Sequence, residues 1–264
     1  MKKGRKILSY LLTCLFLFTL IQVPFNVNAE ESNEPVYVKI RYSRGDSQYE
    51  SWNLWVWEKG KDGKQVDFFG VDSEGAYAVV ETTKKADTLG FIVRKNVNGN
   101  DWAEKDTNDV YIDLSKGNTE VVVNNSNGAV SVNEREIKLD FNKLTVNLHY
   151  FRFDSNYDNW DVWAWLGKNP GNNYTFASDE FGTVTNFEFA NVGKDENPGF
   201  IIRRPNWSQK DYDDDRFINK IYANADGILN AYVVTGEEKV YYNPNDVVKD
   251  PKIISAKIDT LNNI

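Results

Sequence analysis

Two stretches of the chain repeat one pattern of alternating apolar and polar residues. The apolar positions are Val36, Val38, Ile40 and Tyr42 in the first stretch, and Leu144, Val146, Leu148 and Tyr150 in the second. A period of two is typical of a half-buried strand, because successive side chains point to opposite faces of a sheet. The pattern therefore predicts a strand at the start of each of two similar regions.

More matched segments follow each of these strands. Residues 49–57 match 157–165, residues 91–94 match 200–203, and residues 121–128 and 231–236 have the pattern of hairpins. Short strands separated by turns, with no long helical period, indicate an all-β fold of two tandem antiparallel β-sandwich modules. We place the first module at 35–134, a linker at 135–142 and the second module at 143–244. The tail at 245–264 has the pattern of a further strand.

The eight tryptophans divide into two matching sets of four. The sets are Trp52, Trp55, Trp57 and Trp102, and Trp160, Trp163, Trp165 and Trp207. The first three members of each set are 108 positions apart and the last are 105 apart, so the numbering indicates a duplication with one short deletion.

Alternation along the second strand of each module separates the tryptophans into two faces. Trp52 shares a face with Leu54 and Val56, which predicts that it lies in the core and that Trp55 and Trp57 lie on the opposite, solvent face. The alternative is that all of them are core aromatics, but the pair recurs and the other face already supplies a core. The counterparts in the second module are Trp160 on the inner face and Trp163 and Trp165 on the outer face.

Indole pairs on one strand face suit the C–H face of sugar rings. Side chains two positions apart on a strand lie about 6.8 Å apart, and burying about 50 Å² of a glucose face contributes on the order of 1 kcal/mol. Charged residues recur beside the last tryptophan of each set, and charge-assisted hydrogen bonds to hydroxyls are the stronger kind. These are Lys105 and Asp109 in the first module and Lys210 and Asp215 in the second. The alternative is that they are ordinary solvated loop residues.

The first 29 residues have the three zones of a secretory signal peptide: a basic start, an apolar stretch and small residues before a cleavage point after Ala29. A membrane anchor is the alternative, but the apolar run is shorter than the roughly 20 residues that span a bilayer. Cleavage would leave 27 basic against 39 acidic residues and no cysteine. We therefore expect a secreted monomer, extracellular or associated with the cell surface, that lacks disulfides and does not bind nucleic acid or, after cleavage, membrane.

Two other classes of function compete with sugar binding. An enzyme would need a nucleophile beside a base, yet the lone histidine, His149, lies on an outward strand position where we expect a surface or edge residue. A calcium-dependent adhesion or structural module is suggested by the aspartates in residues 211–215, although the glycine typical of calcium loops is missing. We expect no metal and no cofactor.

The combined motifs resemble carbohydrate-binding module family 41, the pullulanase-associated modules that occur in tandem in bacterial pullulanases. The residues that carry the resemblance are Tyr49, Trp52, Leu54, Trp55 and Trp57, then Phe91 to Arg94, then Trp102, Lys105 and Asp106. The resemblance covers both modules. It implies a β-sandwich and non-catalytic binding of α-glucans such as starch, amylopectin, glycogen and pullulan, or of malto-oligosaccharides.

The resemblance also implies a role for each candidate residue. The tryptophans that stack on the sugar are Trp55 and Trp57 in the first module and Trp163 and Trp165 in the second. The residues that hydrogen-bond to it are Lys105 with Asp109 and Lys210 with Asp215. The wall of the site is formed by Trp102 and Trp207. The loop from Lys105 to Asp109 is one residue shorter than the loop from Lys210 to Asp215, so Asp106 is an alternative to Asp109 in the first module.

Overall fold

The computed structural model describes residues 34–249, which form short strands joined by turns and one-turn 3₁₀ helices. The predicted signal peptide and the strand-like segment of the tail lie outside the described residues. Over the described range, no helix has the length and apolar character needed to cross a bilayer.

Ten strands form the first module: β1 (Pro35–Arg44), β2 (Trp52–Glu58), β3 (Lys64–Asp67), β4 (Gly70–Asp72), β5 (Gly75–Thr83), β6 (Thr88–Val97), β7 (Asn100–Lys105), β8 (Val110–Asp113), β9 (Thr119–Ser126) and β10 (Ala129–Arg135). They pair as two sheets, in the orders β10-β9-β1-β5-β4 and β3-β2-β6-β7, and β8 also pairs with β6. We call the sheet that contains β2 the tryptophan sheet and the other the partner sheet.

Eight strands form the second module: β11 (Phe141–Phe151), β12 (Asp161–Leu166), β13 (Asn172–Thr175), β14 (Ala177–Ser178), β15 (Thr183–Val192), β16 (Pro198–Arg203), β17 (Arg216–Phe217) and β18 (Ile228–Val234). The tryptophan sheet has the order β13-β12-β16-β17 and the partner sheet has the order β14-β15-β11-β18. Because β10 ends at Arg135 and β11 begins at Phe141, both reach into the range that the sequence assigns to the linker.

The prediction of an all-β chain with two tandem β-sandwich modules is confirmed. Neighbouring strands are mostly antiparallel, as expected, but each module also contains one parallel pair, β1 with β9 and β11 with β18. Alternation has the same period of two in parallel and antiparallel strands, so the sequence pattern does not distinguish them. The parallel pair brings a strand near the end of each repeat, β9 or β18, beside the first strand of that repeat.

The core of each module lies between its two sheets. In the first module Leu54 is fully buried and Val56 nearly so, and Trp52 is only 6% exposed. These side chains contact apolar residues that alternate along β1 and β9. In the second module Trp160 is 5% exposed. The predicted inner position of both tryptophans is therefore confirmed.

The outer face of the first module's partner sheet packs against the second module. Val79 and Ile137 form a small buried cluster with Ile221. The Tyr222 ring stacks on Phe69, with a centroid distance of 6.0 Å.

Polar contacts surround this cluster. The Lys39 amine, which is nearly inaccessible to solvent, donates a hydrogen bond to the carbonyl of Ala223. The Asp72 carboxylate accepts a 2.7 Å hydrogen bond from the Ala225 amide and pairs with Arg41, again at 2.7 Å. These polar contacts and the apolar cluster together join the first module to residues 221–226 of the second.

Candidate functional site

The candidate residues lie on the outer face of each tryptophan sheet. Trp55 and Trp57 are half-buried there, on the opposite side of β2 from Leu54 and Val56. Trp163 and Trp165 have the same intermediate exposure on β12. The rings therefore face away from the core, as expected, but they are not bare, because other residues of the outer face pack against them.

A glycine lies under each of these four indoles. Gly63 lies against Trp55, and Gly90, which is directly opposite Trp57 across β2 and β6, lies against Trp57. The corresponding glycines of the second module are Gly171 under Trp163 and Gly199 under Trp165. A Cβ atom at any of these glycines would overlap the indole, so the missing side chain lets the ring lie on the backbone.

In each module an arginine links the first tryptophan of the outer pair to the third outer tryptophan, which is distant in sequence. Arg94 is 1% exposed, and its Cζ lies 4.4 Å from the ring centroid of Trp55 and 4.5 Å from that of Trp102. The two indoles are 5.9 Å apart and inclined by 63°. A guanidinium over an indole face is an attractive cation–π geometry. Arg94 therefore holds Trp102, which is 47% exposed, beside Trp55.

Arg203 makes the same arrangement in the second module. Its Cζ lies 4.6 Å from the ring centroid of Trp163 and 4.0 Å from that of Trp207, and the two indoles are 6.0 Å apart at 64°. Trp207 is 48% exposed. The sequence motif contains both arginines, but sequence reasoning gave them no role.

An exposed aromatic ring stands beside the second tryptophan of each pair. Tyr111 meets Trp57 edge-on at 5.8 Å, and Phe217 meets Trp165 edge-on at 6.2 Å. Tyr111 lies opposite Gly90 and Phe217 lies opposite Gly199, so the two rings occupy equivalent positions. Sequence reasoning missed both, although each follows a candidate aspartate by two residues.

In the first module the space around Trp57 is concave. A cleft of about 480 Å³ is lined by Trp57, Tyr111, Lys59, Thr88 and Gly90, together with Gly60. Its volume is in the range of about 300–1,000 Å³ that is usual for small-molecule sites. The outer face therefore offers a recess with aromatic walls.

Lys105 and Lys210 occupy equivalent positions on the two outer faces. Lys105 is directly opposite Arg94 across β6 and β7, and Lys210 is opposite Arg203 in an isolated bridge. Residues opposite each other on paired strands share a face, so each lysine lies on the face of the tryptophans. Both are exposed, and the Lys210 amine donates a 2.9 Å hydrogen bond to the carbonyl of Asp213.

Asp109 and Asp215 are also equivalent by strand register. Asp109 directly precedes the residue opposite Phe91, and Asp215 directly precedes the residue opposite Phe200. Both are exposed, and Asp109 accepts a 3.1 Å hydrogen bond from the hydroxyl of Tyr111. The extra residue in the second loop therefore does not change which aspartate reaches this position.

The chain matches the family model described as Bacterial pullanase-associated domain over residues 36–132 and again over 144–242. The protein belongs to the pullulanase-associated domain family. The two tandem matches confirm the resemblance to family 41 modules that the motifs indicate. Both matched regions of this pullulanase-associated protein are non-catalytic modules.

Solved structures with similarity to these pullulanase-associated modules include family 41 carbohydrate-binding modules from streptococcal virulence factors. That structure is 19% identical, with a TM-score of 0.33, over 81% of this chain and 100% of the other. A product complex of the pneumococcal glycogen-degrading factor SpuA is 18% identical (TM-score 0.33), over 81% of this chain and 22% of the other. A PulA mutant from Klebsiella pneumoniae is 14% identical (TM-score 0.26), over 75% and 22%.

The aspartate next to each candidate lysine points away from the outer face of its pullulanase-associated module. Asp106 accepts hydrogen bonds from the hydroxyl of Tyr42 and from Arg44. Asp211 accepts one of 2.5 Å from the hydroxyl of Tyr150, and burial together with the Asp211 charge raises the pKa of that phenol. Asp106 is thus occupied by inner partners, and Asp109 is the better candidate on the outer face.

In the described part of the chain, no arrangement of residues supports either alternative function, an enzyme or a calcium-dependent module. His149 lies on the partner sheet of the second module, with Nδ1 2.5 Å from Asp179 and its ring stacked on Tyr232 at 4.6 Å. It is half-buried rather than a surface residue, and it is on the sheet opposite the tryptophans. Among residues 34–249, no group of three or more His, Cys, Asp or Glu side chains is arranged to hold a metal ion.

Proposed function

We propose that each module binds an α-glucan chain of the starch, amylopectin, glycogen or pullulan kind, and that no cofactor takes part. The observation that carries the proposal is the recurrence of one arrangement on two outer faces. Each face combines a glycine-supported pair of indoles, an arginine between two indoles, an exposed lysine and an exposed aspartate. These groups lie on the outer faces and not in the cores between the sheets, so core packing does not explain why they occur twice.

In this proposal the tryptophans contribute the apolar part of the binding energy. Trp55 and Trp57 in the first module stack on successive glucose rings, with Trp102 as the wall of the site, and Trp163, Trp165 and Trp207 act likewise in the second. Each stacked face that buries about 50 Å² contributes on the order of 1 kcal/mol. The glycines and arginines fix the indoles before the sugar arrives, which reduces the entropy lost on binding.

Lysine and aspartate supply orientation. An ammonium donates to a hydroxyl and a carboxylate accepts from one, so Lys105 with Asp109, or Lys210 with Asp215, can hold two hydroxyls of one glucose. Stacking alone accepts many flat sugar faces. The polar pair makes binding depend on the positions of the hydroxyls and on the shape of the chain.

We also propose that the chain is the substrate-targeting region of a secreted pullulanase. The family description links these modules to such enzymes, and the amino-terminal pattern supports export. Removing the leader gives a net charge of −12, which does not oppose binding to a neutral polymer. The pullulanase activity would belong to residues beyond the two modules.

Affinity electrophoresis tests the proposal. Native gels that contain amylopectin, glycogen, cellulose or xylan are run with the wild type and with the double variant Trp57→Ala, Trp165→Ala. We expect the two α-glucans to retard the wild type and cellulose and xylan to leave it unretarded, and we expect the double variant to migrate freely in every gel.

The matched control is Tyr232→Ala, which removes a half-buried aromatic ring from the opposite sheet of the second module. This variant should be retarded as strongly as the wild type. Retardation by cellulose alone, or equal retardation of the double variant in glycogen, would reject the proposed ligand or the proposed residues.

A further inference from the structure

A cleft of about 900 Å³ lies between the two modules. One wall comes from the first module and includes β3, Tyr37 and Glu81. The other wall comes from the second module and includes Phe217, Asn219 and residues 238–243, 245 and 246. Because both modules contribute walls, the cleft exists only in the tandem arrangement.

The two walls of this cleft border the two tryptophan sites. Gln65, on the first wall, is directly opposite Trp55 across β2 and β3 and accepts a 3.0 Å hydrogen bond from Arg94. Phe217, on the second wall, meets Trp165 edge-on. A polymer that leaves the indoles of one module at these residues would therefore enter the cleft.

We propose that the cleft between the modules is a third glucan subsite, which holds the part of one α-glucan chain that runs between the two tryptophan sites. This inference rests on the proposed function of those two sites. It adds a site that belongs to neither module alone, and it makes a single long chain, rather than two short ones, the preferred ligand.

The lining of the cleft has the chemistry that a carbohydrate needs. Carboxylates of Glu81, Glu238 and Asp246 accept hydrogen bonds from sugar hydroxyls, and the side-chain amide of Asn245 both accepts and donates. Aromatic rings such as Tyr37 present apolar surface to the C–H faces. The lining also includes the basic side chains of Lys64 and Lys239, which donate hydrogen bonds. A mixture of acceptors, donors and aromatic rings favours a neutral polyhydroxyl chain over a purely apolar ligand.

Contacts between and within the modules fix the walls. Tyr222 packs on Phe69 of the first module, and it stacks on Tyr242 of its own module with centroids 3.9 Å apart. The hydroxyl of Tyr242 accepts a 2.7 Å hydrogen bond from the Asn219 amide. A preformed groove loses little conformational entropy when it binds a chain. Joining two sites through it raises avidity by about 100-fold or more over one site.

Calorimetric titration of the whole chain with maltotetraose and with a long linear maltodextrin tests the inference. We expect two molecules of maltotetraose to bind, but one molecule of the long chain, with an affinity about 100-fold higher. Two variants fill the cleft from opposite walls, Asn245→Arg and Glu81→Arg; both positions are exposed, so we expect both variants to fold. Each should lower the affinity for the long chain by about tenfold or more and leave the affinity for maltotetraose unchanged.

The matched control is Asn133→Arg, which adds the same side chain at an exposed position on β10 away from the cleft. It should bind both ligands as the wild type does. Two long chains per protein, or wild-type affinity for the long chain in both cleft variants, would overturn the third subsite while maltotetraose binding keeps the proposed function intact. Failure of the wild type to bind maltotetraose would instead overturn the proposed function, and the third subsite with it.

Discussion

The two modules bring their third outer tryptophan to the same place by different backbone routes. In the first module β6 continues past Arg94, turns at Asn98 and Gly99 with φ of 50° and 80°, and returns as β7, which carries Trp102. In the second module Trp207 lies only four residues after Arg203, in a 3₁₀ turn. The loops differ, but the guanidinium lies between two indoles in both, so the arginine–indole contact is the more constant part of the site.

The modules also differ in what holds that arginine. Arg94 donates a 3.1 Å hydrogen bond to the neutral side chain of Asn53. At the equivalent position of the second module, Arg203 forms a 3.1 Å ion pair with Asp161. Asn53 and Asp161 are both buried residues. The same geometry therefore depends on a neutral hydrogen bond in one module and on a largely buried charge pair in the other.

Replacing each arginine by methionine should give the largest difference in stability between the neutral hydrogen bond of the first module and the charge pair of the second. Arg203→Met leaves the buried Asp161 charge without its partner, and we expect the free energy of unfolding to fall by about 3 kcal/mol. Arg94→Met leaves an amide oxygen without its donor, and we expect a loss of about 1–2 kcal/mol. Urea unfolding followed by tryptophan fluorescence measures both.

The control converts the second module to the pattern of the first. Asp161→Asn combined with Arg203→Met should lose about as much stability as Arg94→Met, because no buried charge remains unpaired. Equal losses for the two single variants, or no recovery in the double variant, would show that the charge of Asp161 does not distinguish the modules.

Features that depend on local alternation could be predicted from the sequence. The inner position of Trp52 and the outer position of Trp55 follow from the period of two, and the duplication follows from the matched tryptophans. The glycine beneath Trp57 could not be predicted, because it lies 33 positions away and meets the ring only through the register of β2 with β6. The binding roles of Lys105 and Asp109 stay predictions.

The surface between the modules could not be predicted from the sequence, for a different reason. Lys39 and Arg41 alternate with the core residues of β1, so the pattern places them on the solvent side of the sheet. That side is covered by residues 221–226 of the other module, and both cations are nearly inaccessible to solvent. Periodicity identifies the face of a strand, but it does not show whether another module packs on that face.

The partner sheets form a second comparison, because Lys39 of the first module has Asn147 at the equivalent position of the second. Burial and, after it, the positive charge of Arg41 lower the pKa of Lys39 to about 8, although Glu120, Asp72 and Glu74 oppose the shift. A lysine has a pKa near 10.4 when unfolded. Between these values the unfolded chain holds more protons than the folded chain, so the free energy of unfolding increases as the pH rises.

The wild type should therefore gain about 2 kcal/mol of stability between about pH 7 and 9.5 through Lys39. Lys39→Met removes the titrating group and should show a flatter profile. Thermal unfolding at a series of pH values measures the difference in stability between the two proteins. The titrations that both proteins share cancel in this difference. Parallel profiles would mean that the amine keeps its usual pKa in the folded chain.

The backbone at the third tryptophan gives the smallest but most direct comparison. Trp207 has φ of 59°, in the left-handed region that an L side chain adopts only at a cost, whereas Trp102 lies within strand β7. Glycine should therefore be more stable than alanine by about 1 kcal/mol at position 207. At position 102 the order should reverse by about 0.5–1 kcal/mol, because glycine weakens a strand.

Comparing glycine with alanine at each position removes the indole in both variants, so the lost aromatic contacts cancel and only the backbone preference remains. Urea unfolding of Trp207→Gly against Trp207→Ala, and of Trp102→Gly against Trp102→Ala, gives the two differences. Opposite signs would establish that the second module holds its tryptophan in a strained turn to reach the contact that the first module makes from a strand. If alanine is the more stable residue at both positions, the turn at Trp207 carries no such strain, and the shorter route costs the second module nothing.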